Sequence, residues 1–353
     1  MPTDRRSARG GIDLGGTKIQ AAIFDEKHEV LGAARRPTPT SGGPAGVAKA
    51  LEGALREAAA AAGLEPRALS GVGVGSPGTV EDGTVASARN LPGWKGKFPL
   101  AARLEQALGC RVALGNDVQV ATYAEFVLGA GKSYESLLGV FWGTGVGGGL
   151  ILDSKPWLGR GGAGEIGHVV VKLGGARCTC GRHGCMEAYA GRAAMEAQAS
   201  KRVERGRKTD LFKLMREHDR ERLTSGIWAR ALAHGDKLAT ELMDRAVAAL
   251  GAGVASVVNV LDVQAVVIGG GLGVRLGDPF AERIAAAMHP HLFADARPPQ
   301  VHLSALGDLG GAIGASLLLD RASARRRPAR KGATLSAPPK AAPRGAGPKA
   351  PRA

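Results

Sequence analysis

Cysteine, aromatic residues and long apolar runs are all scarce in this chain, and each scarcity removes a class of protein. Four cysteines in 353 residues are too few for a disulfide-stapled secreted scaffold. Aromatics make up only 4% of the residues against 54 glycines, so turns and close backbone approaches carry much of the structural definition. The long uncharged run 246–261 is rich in Ala, Gly and Val and is shorter than a membrane span. Bounded by Arg245 and Asp262, it reads as a buried helix. The opening MPTDRRSARGG carries charge but no apolar core of a secretory leader. These absences lead to the expectation of a soluble, cytoplasmic protein with no membrane partner.

Acidic residues are missing from one region in particular. The formal charge is +15, but residues 321–353 hold ten Lys or Arg and no Asp or Glu, which leaves about +5 on the rest. That segment is rich in Pro, Ala and Gly and has no large apolar residue after Leu335, so it is expected to be a basic disordered tail. Such a tail attracts nucleic acid or polyphosphate. A solvated tail without a partner is the favoured reading. Residues 1–9 are expected to be disordered as well.

Between these ends the pattern alternates strands with crossover helices, which argues for mixed sheets covered by helices. Strands are expected at 11–14, 18–24 and 29–36, a helix at 44–62 and a strand at 70–75. An extended stretch at 80–86, a helix at 99–108 and a strand at 111–114 follow, the last running into Gly115-Asn116-Asp117 and a helix. This makes a small α/β domain over 10–118, with a closing helix at 309–320 packed back on it. A larger α/β domain over 119–308 has strands at 137–142 and 148–152, a helical region over 186–261 and a strand at 265–268. The hairpins IDLGGTKIQ and VFWGTGVGGGLIL echo each other faintly.

Three of the four cysteines, Cys178, Cys180 and Cys185, are crowded among turn formers, and His168 lies just upstream. Three thiolates and an imidazole meet the tetrahedral preference of a structural zinc ion, held by a loop over 168–185. A disulfide is the alternative, but it strands one thiol, and the CxC spacing suits a metal better. His183 is a rival ligand that the filled set leaves at the surface. Two windows, 73–78 and 143–148, match GxGxxG, yet neither precedes a helix as dinucleotide binding requires. Gly131-Lys132-Ser133 imitates the end of a Walker loop but follows a helix. A different phosphate site remains. Asp13-Leu14-Gly15-Gly16-Thr17-Lys18 sets an acid at a strand end beside a glycine turn whose N–H groups can cradle phosphate oxygens. Thr17 adds a hydroxyl, and Asp13 is placed to hold Mg²⁺ through water. Gly143-Thr144-Gly145 offers a second such turn. Each alone is as well explained by an ordinary turn.

Taken in order, DLGGTK, Gly115-Asn116-Asp117 with Glu125, GTGVGGG, Glu165 to His168, CxCGxxGCxE and IGGG resemble the ROK family of sugar kinases and repressors. The resemblance spans residues 11–319 and implies a two-domain hexokinase/actin-like (ribonuclease H-like) fold with mixed sheets and an interdomain cleft. It implies ATP, Mg²⁺ and structural Zn²⁺, a hexose substrate, and a homodimer or homotetramer. Asp117 takes the role of general base toward the sugar 6-hydroxyl, and Gly78, Asn90, Asn116, Asp117, Glu165, His168 and Glu187 match sugar-contacting positions. Asp13, Gly15, Gly16, Thr17, Lys18, Gly143, Thr144, Gly145, Gly269, Gly270 and Gly271 match the nucleotide side. His168 serves both zinc and sugar. Read from the residues alone, Asp117 is equally a helix N-cap, with Asn116 as the other candidate. Asn90 sits in Asn90-Leu91-Pro92-Gly93-Trp94, a segment similar to one in ROK glucokinases, so glucose is the expected substrate. Kinases of other hexoses share the zinc segment, whereas polyphosphate-using relatives tend to lack it. A repressor needs an N-terminal helix-turn-helix, and only about ten residues precede Gly11. A sugar-binding scaffold without activity has no need of Asp13, Asp117 and both turns. Departures from the family pattern are Val118-Gln119-Val120 after Asp117, Ser76 and Thr79 around Pro77-Gly78, and the bulky Phe141-Trp142 before the second turn.

Overall fold

The computed structural model describes residues 8–88 and 91–320. In the first half, β1 (Arg9–Leu14), β2 (Lys18–Phe24) and β3 (Val30–Pro37) form an antiparallel meander. Helix α1 (Gly43–Ala61) leads to β4 (Val72–Ser76) and a small hairpin, β5 (Thr79–Glu81) with β6 (Thr84–Ala86). Then come α2 (Leu100–Leu108), β7 (Val112–Asn116) and α3 (Asp117–Leu128). Strand β4 joins β1 and β7 joins β4, both in parallel, so the sheet order is β3-β2-β1-β4-β7.

The second half repeats the plan. Strands β8 (Leu137–Trp142), β9 (Val146–Leu152) and β10 (Lys155–Pro156) are antiparallel. Helices α4 (Glu187–Ala190), α5 (Arg192–Glu204), α6 (Leu211–Glu217), α7 (Ser225–Ala233) and α8 (Lys237–Leu261) follow. The chain continues through β11 (Ala265–Gly269), α9 (Gly270–Leu276), α10 (Asp278–Met288), β12 (Gln300–Leu303) and α11 (Gly310–Ser316). The order β10-β9-β8-β11-β12 is again three antiparallel strands followed by two parallel ones. The faint echo of the two glycine hairpins is thus a repeat of whole-sheet topology.

Residue chemistry accounts for these placements. All five residues of β4 and of β11 are buried, as expected for parallel strands covered on both faces. Helix α1 starts with Pro44 in its first turn and buries Val47, Ala48, Leu51, Ala54, Leu55, Ala58 and Ala59, one stripe at helical spacing. Helix α8 is long and apolar enough to cross a membrane by length and composition. Its face from Leu238 to Val258, however, is buried in the second core, where it packs on α10 and α4.

The two sheets meet along α3 and α11. A Cβ on Gly11 would stand 1.9 Å from the Ala312 carbonyl oxygen, and one on Gly73 1.7 Å from that of Ala315. Helix α11 therefore lies directly on the backbone of β1 and β4. Thr122 of α3 is wedged between Gly139 of β8 and Gly149 of β9. So α3 leaves the first sheet at its start and packs on the second.

Several expectations change. Strand β1 begins at Arg9, inside the stretch expected to be disordered, because Ser70 N–H donates to the Ala8 carbonyl at 2.9 Å and Arg9 pairs with Asp320 at 2.6 Å. The stretch 80–86 is a hairpin, not one extended segment, turning at Asp82-Gly83 where both φ values are positive. The boundary drawn at 118 falls inside the first turn of α3. Helices α9 and α10 and strand β12 were not anticipated; α9 begins in a glycine run of low helix propensity that packing overrides. The tail 321–353 and residues 1–7 lie outside the described residues.

Glu125 ties the seam together. Its buried carboxylate accepts from Ala130, Ala305 and Leu306 N–H, each at 3.0 Å. Glu125→Leu is expected to lower stability by about 3–5 kcal/mol, since it orphans three amides. Urea unfolding at unchanged m-value measures this; a loss below about 1 kcal/mol would contradict the assignment.

Candidate active site

Three parallel strands, β1, β4 and β7, end side by side, with Asp13 opposite Gly75 and Gly75 opposite Gly115. Ligands collect at such carboxyl ends in open α/β sheets. A Cβ on Gly75 would sit 3.3 Å from Asp117 Cα and 2.8 Å from Val120 Cγ2, so glycine is what lets α3 start this close to the sheet. Asn116 is the N-cap: its Oδ1 accepts from Val118 and Gln119 N–H at 3.1 Å, and its Nδ2 donates to the Gly78 carbonyl at 3.2 Å. The cap role therefore falls to Asn116. Asp117 becomes the first residue of the helix.

Asp117 is a carboxyl in an unfavourable place for charge. Burial, with the like charges of Asp13 and Glu165, outweighs its hydrogen bond from Val118 N–H and raises its pKa to about 7. Asp13 is raised to about 6, chiefly by burial, with Lys18 opposing and Asp308 adding to the rise. A Cβ on Gly311 would lie 2.6 Å from Asp13 Cγ, so the start of α11 closes over that carboxylate. In the turn that follows, Gly15 N–H donates to the Lys18 carbonyl at 2.9 Å, and Gly16 and Thr17 are exposed. Lys18 Nζ lies 3.2 Å from Asp308, so its ammonium is partnered within the protein.

The second glycine turn mirrors the first. Gly143 N–H donates to the Gly145 carbonyl at 2.9 Å, and Thr144 is exposed at the tip. The run Gly269-Gly270-Gly271 arrives beside it: a Cβ on Gly143 would be 3.8 Å from Gly271 N, and Gly270 (φ +80°) presses on the Trp142 backbone. The bulk of Phe141-Trp142 is accommodated here. The Phe141 ring lies over Gly269, and buried Trp142 donates to the Ala190 carbonyl at 2.7 Å.

The cysteine loop lies beyond this turn. His168, Cys178, Cys180 and Cys185 bring one donor atom each within 4.8 Å of one another. Cys180 and Cys185 Sγ are 3.7 Å apart, and Cys178 Sγ is 3.8 Å from His168 Nδ1. Tetrahedral zinc with Zn–S near 2.3 Å sets its sulfurs about 3.8 Å apart, so the donor set fits. The separation excludes a disulfide, and all four cysteines are free thiols. Burial pushes the Cys178 thiol up to about 12, a cost that a bound dication reverses by favouring thiolate. Gly184 is required: at φ +83° its Cβ would fall 1.8 Å from the Lys172 carbonyl oxygen. His183 is exposed and outside the cluster.

With Nδ1 toward the sulfurs, His168 turns Nε2 to Glu165, 4.0 Å away, whose side chain is 59% exposed and open to a ligand. Glu187 accepts from Val146 N–H at 3.0 Å and from Thr179 Oγ1 at 3.2 Å, which joins the cysteine loop to the second glycine turn. Gln119 Nε2 donates to the Ala163 carbonyl at 2.8 Å and anchors the loop that carries Glu165. Asn90 lies outside the described residues.

The profile of the ROK family matches residues 9–322. The chain belongs to the ROK family. A glucokinase of Thermotoga maritima is 30% identical over 88% of this chain and 96% of its own length. An N-acetylgalactosamine kinase of a Shewanella species is 34% identical over 87% and 95%. The crystal structure of a ROK family glucokinase from Streptomyces griseus with glucose and AMPPNP superposes with a TM-score of 0.77 at 30% identity, covering 89% of this chain and all of that one.

Within this ROK protein, buried Asp117 feels the charges of Asp13 and Glu165, Glu165 lies 4.0 Å from His168, and the glycine runs 143–145 and 269–271 meet at Gly143 and Gly271. Tyr189, which accepts from Ala176 N–H, and Arg192, which donates to Thr144 Oγ1, support the site and carry no signal in the sequence. Metal analysis of the purified chain is expected to return about one zinc per chain, with loss on Cys185→Ser. Zinc retained by that variant would exclude this ligand set. Asp117→Asn is expected to raise the melting temperature above pH 7 and not at pH 4. The folded pKa exceeds the unfolded one, so the wild type loses stability as pH rises from about 4 through about 7. An increment independent of pH would argue against a buried charge.

Proposed function

We propose that this chain transfers the γ-phosphoryl group of ATP to the primary hydroxyl of a hexose, with glucose as the preferred substrate. The observation that carries the reading is the Asp117 carboxyl, set at the start of α3 with its pKa near 7 and faced by Asp13 and Glu165. A base of that strength is matched to proton transfer at neutral pH. Asp117 accepts the proton of the attacking hydroxyl. Phosphoryl transfer otherwise asks mainly for alignment and charge neutralisation.

Glu165, His168 Nε2, Glu187, Asn90, Gly78 and Asn116 are assigned to the sugar, Glu187 with its remaining lone pairs. Asn116 does so mostly through the backbone and one spare amide hydrogen, because its side chain is committed to the helix cap and Gly78. Discrimination follows from the cost of leaving such groups unpaired. The turns around Gly15, Gly16, Thr17 and around Gly143, Thr144, Gly145, with Gly269, Gly270 and Gly271, are assigned to the nucleotide. Asp13 is the carboxylate that would hold Mg²⁺, which neutralises phosphate charge when bound. Lys18 is assigned there only after release from Asp308. The cysteine loop would hold zinc as a brace that fixes His168 and Glu187. We place the protein in the cytoplasm as a homodimer or homotetramer.

The glucokinase relatives support glucose. The Shewanella relative favours a second reading, an N-acetylhexosamine kinase. A coupled ADP-release assay over neutral hexoses and N-acetylhexosamines separates the two. Asp117→Asn should reduce turnover by a factor of about 10²–10⁴. Absence of turnover with every sugar, or full activity in that variant, would sink the proposal. Because the base must be ionised, kcat/KM for the sugar should rise about tenfold per pH unit below about 7 and level off above it. Asp13→Asn should move the break to lower pH, since it removes a like charge.

A further inference from the structure

We infer that Arg192 is a positioning residue for the phosphoryl donor, acting through the hydroxyl of Thr144; this rests on the kinase reading above. Arg192 opens α5 directly behind the second glycine turn. Its backbone N–H donates to the Gly143 carbonyl at 3.1 Å, and the next, Ala193 N–H, donates to the Thr144 carbonyl at 3.0 Å. The side chain returns to the same turn. Nη2 donates to Thr144 Oγ1 at 2.8 Å, Nη1 donates to the Leu223 carbonyl at 2.9 Å, and Nε is buried with no partner.

A hydroxyl has one hydrogen to donate and two lone pairs that accept. Because the guanidinium donates into Oγ1, the Thr144 hydrogen points away from Arg192, and among the described residues nothing accepts it. Thr144 is exposed, so that hydrogen is free for an anion seated on the turn. The guanidinium also polarises the hydroxyl, which makes it a stronger donor. Arg192 pairs with no carboxylate among the described residues: Glu196, one turn on, is taken by Arg222 Nε at 3.1 Å and by Leu223 N–H at 3.2 Å. Its Nη2 edge meets the turn at Thr144. Gly191 permits the approach, since a Cβ there would lie 2.9 Å from the Glu187 carbonyl oxygen and 3.3 Å from that of Thr144. Lysine lacks the planar fork that reaches Leu223 and Thr144 together.

The test is calorimetric binding of AMPPNP and of hexose to the full chain, with KM for ATP and hexose, in wild type, Arg192→Met, Arg192→Lys, Thr144→Val and the Met/Val double variant. Arg192→Met should weaken AMPPNP and raise the ATP KM about tenfold, with hexose affinity changed less than about twofold. Arg192→Lys should recover part of the loss. In the Thr144→Val background the Arg192→Met change should cost nothing further, as expected of one shared interaction. Additive losses, or equal losses of hexose and nucleotide, overturn the inference. If the Met variant does not fold, Arg192→Lys carries the same comparison, and unchanged AMPPNP affinity there and in Thr144→Val overturns it. A wild-type chain that binds hexose but no nucleotide would overturn the kinase reading as well, which separates the two failures.

Discussion

The side-chain amide of Asn116 makes three hydrogen bonds that set the geometry of everything around Asp117. Two satisfy the first free amides of α3, and the third holds the Gly78 carbonyl of the neighbouring loop. With the cap supplied by Asn116, the next carboxylate is released from capping and carried into the seam between two sheets. An Asp at the N-cap would have its charge stabilised by the helix amides and a low pKa. One residue further on, burial and the charge of Asp13 dominate and raise it. The position of a single amide thus separates a structural carboxylate from one suited to accept a proton near neutrality.

A second constraint runs through Glu187. Its carboxylate bridges Thr179 of the cysteine loop and the Val146 amide that follows the glycine turn. Gly145 has no side chain because Glu187 Oε2 would stand 2.3 Å from its Cβ. The loop, the turn and the start of α5 form one packed unit rather than three neighbours. Order in the cysteine loop is therefore felt at Gly143-Thr144-Gly145. Tyr189 reinforces the unit by accepting from Ala176 N–H at 2.7 Å.

Much of the fold was legible in the chain. Strands β1, β8 and β11 announce themselves as short apolar runs ending at glycine turns, β2 as one that starts from such a turn, and α1 by its stripe and Pro44. The cysteine spacing pointed to a four-donor cluster, and the thiol and imidazole atoms do converge. The GxGxxG window at 73–78 runs into a turn and β5 and that at 143–148 into β9, neither into a helix, as their following residues indicated. What was missed has a common cause. Helix α9 begins on glycines with poor intrinsic propensity, and β12 is a short edge strand of four residues. Glu125 showed only as part of a motif, because its three amide partners lie at Ala130, Ala305 and Leu306, two of them about 180 positions away.

Local chemistry in the sequence by itself determined the secondary structure of the central strands, the turns at the glycine runs, the donor set of the cysteine loop and the choice of Asp13 as a notable acid, whereas Asp117 stood out only through the resemblance to the ROK family. These depend on neighbours a few residues apart, where spacing and side-chain type suffice. Tertiary structure alone decided that the two halves share one sheet topology and that α11 lies on bare backbone at Gly11 and Gly73. It also decided that Asp117 titrates near 7 and that Arg192 stands behind Thr144. Each of these depends on desolvation or on contacts between distant segments. Both arise only when the two sheets close around α3.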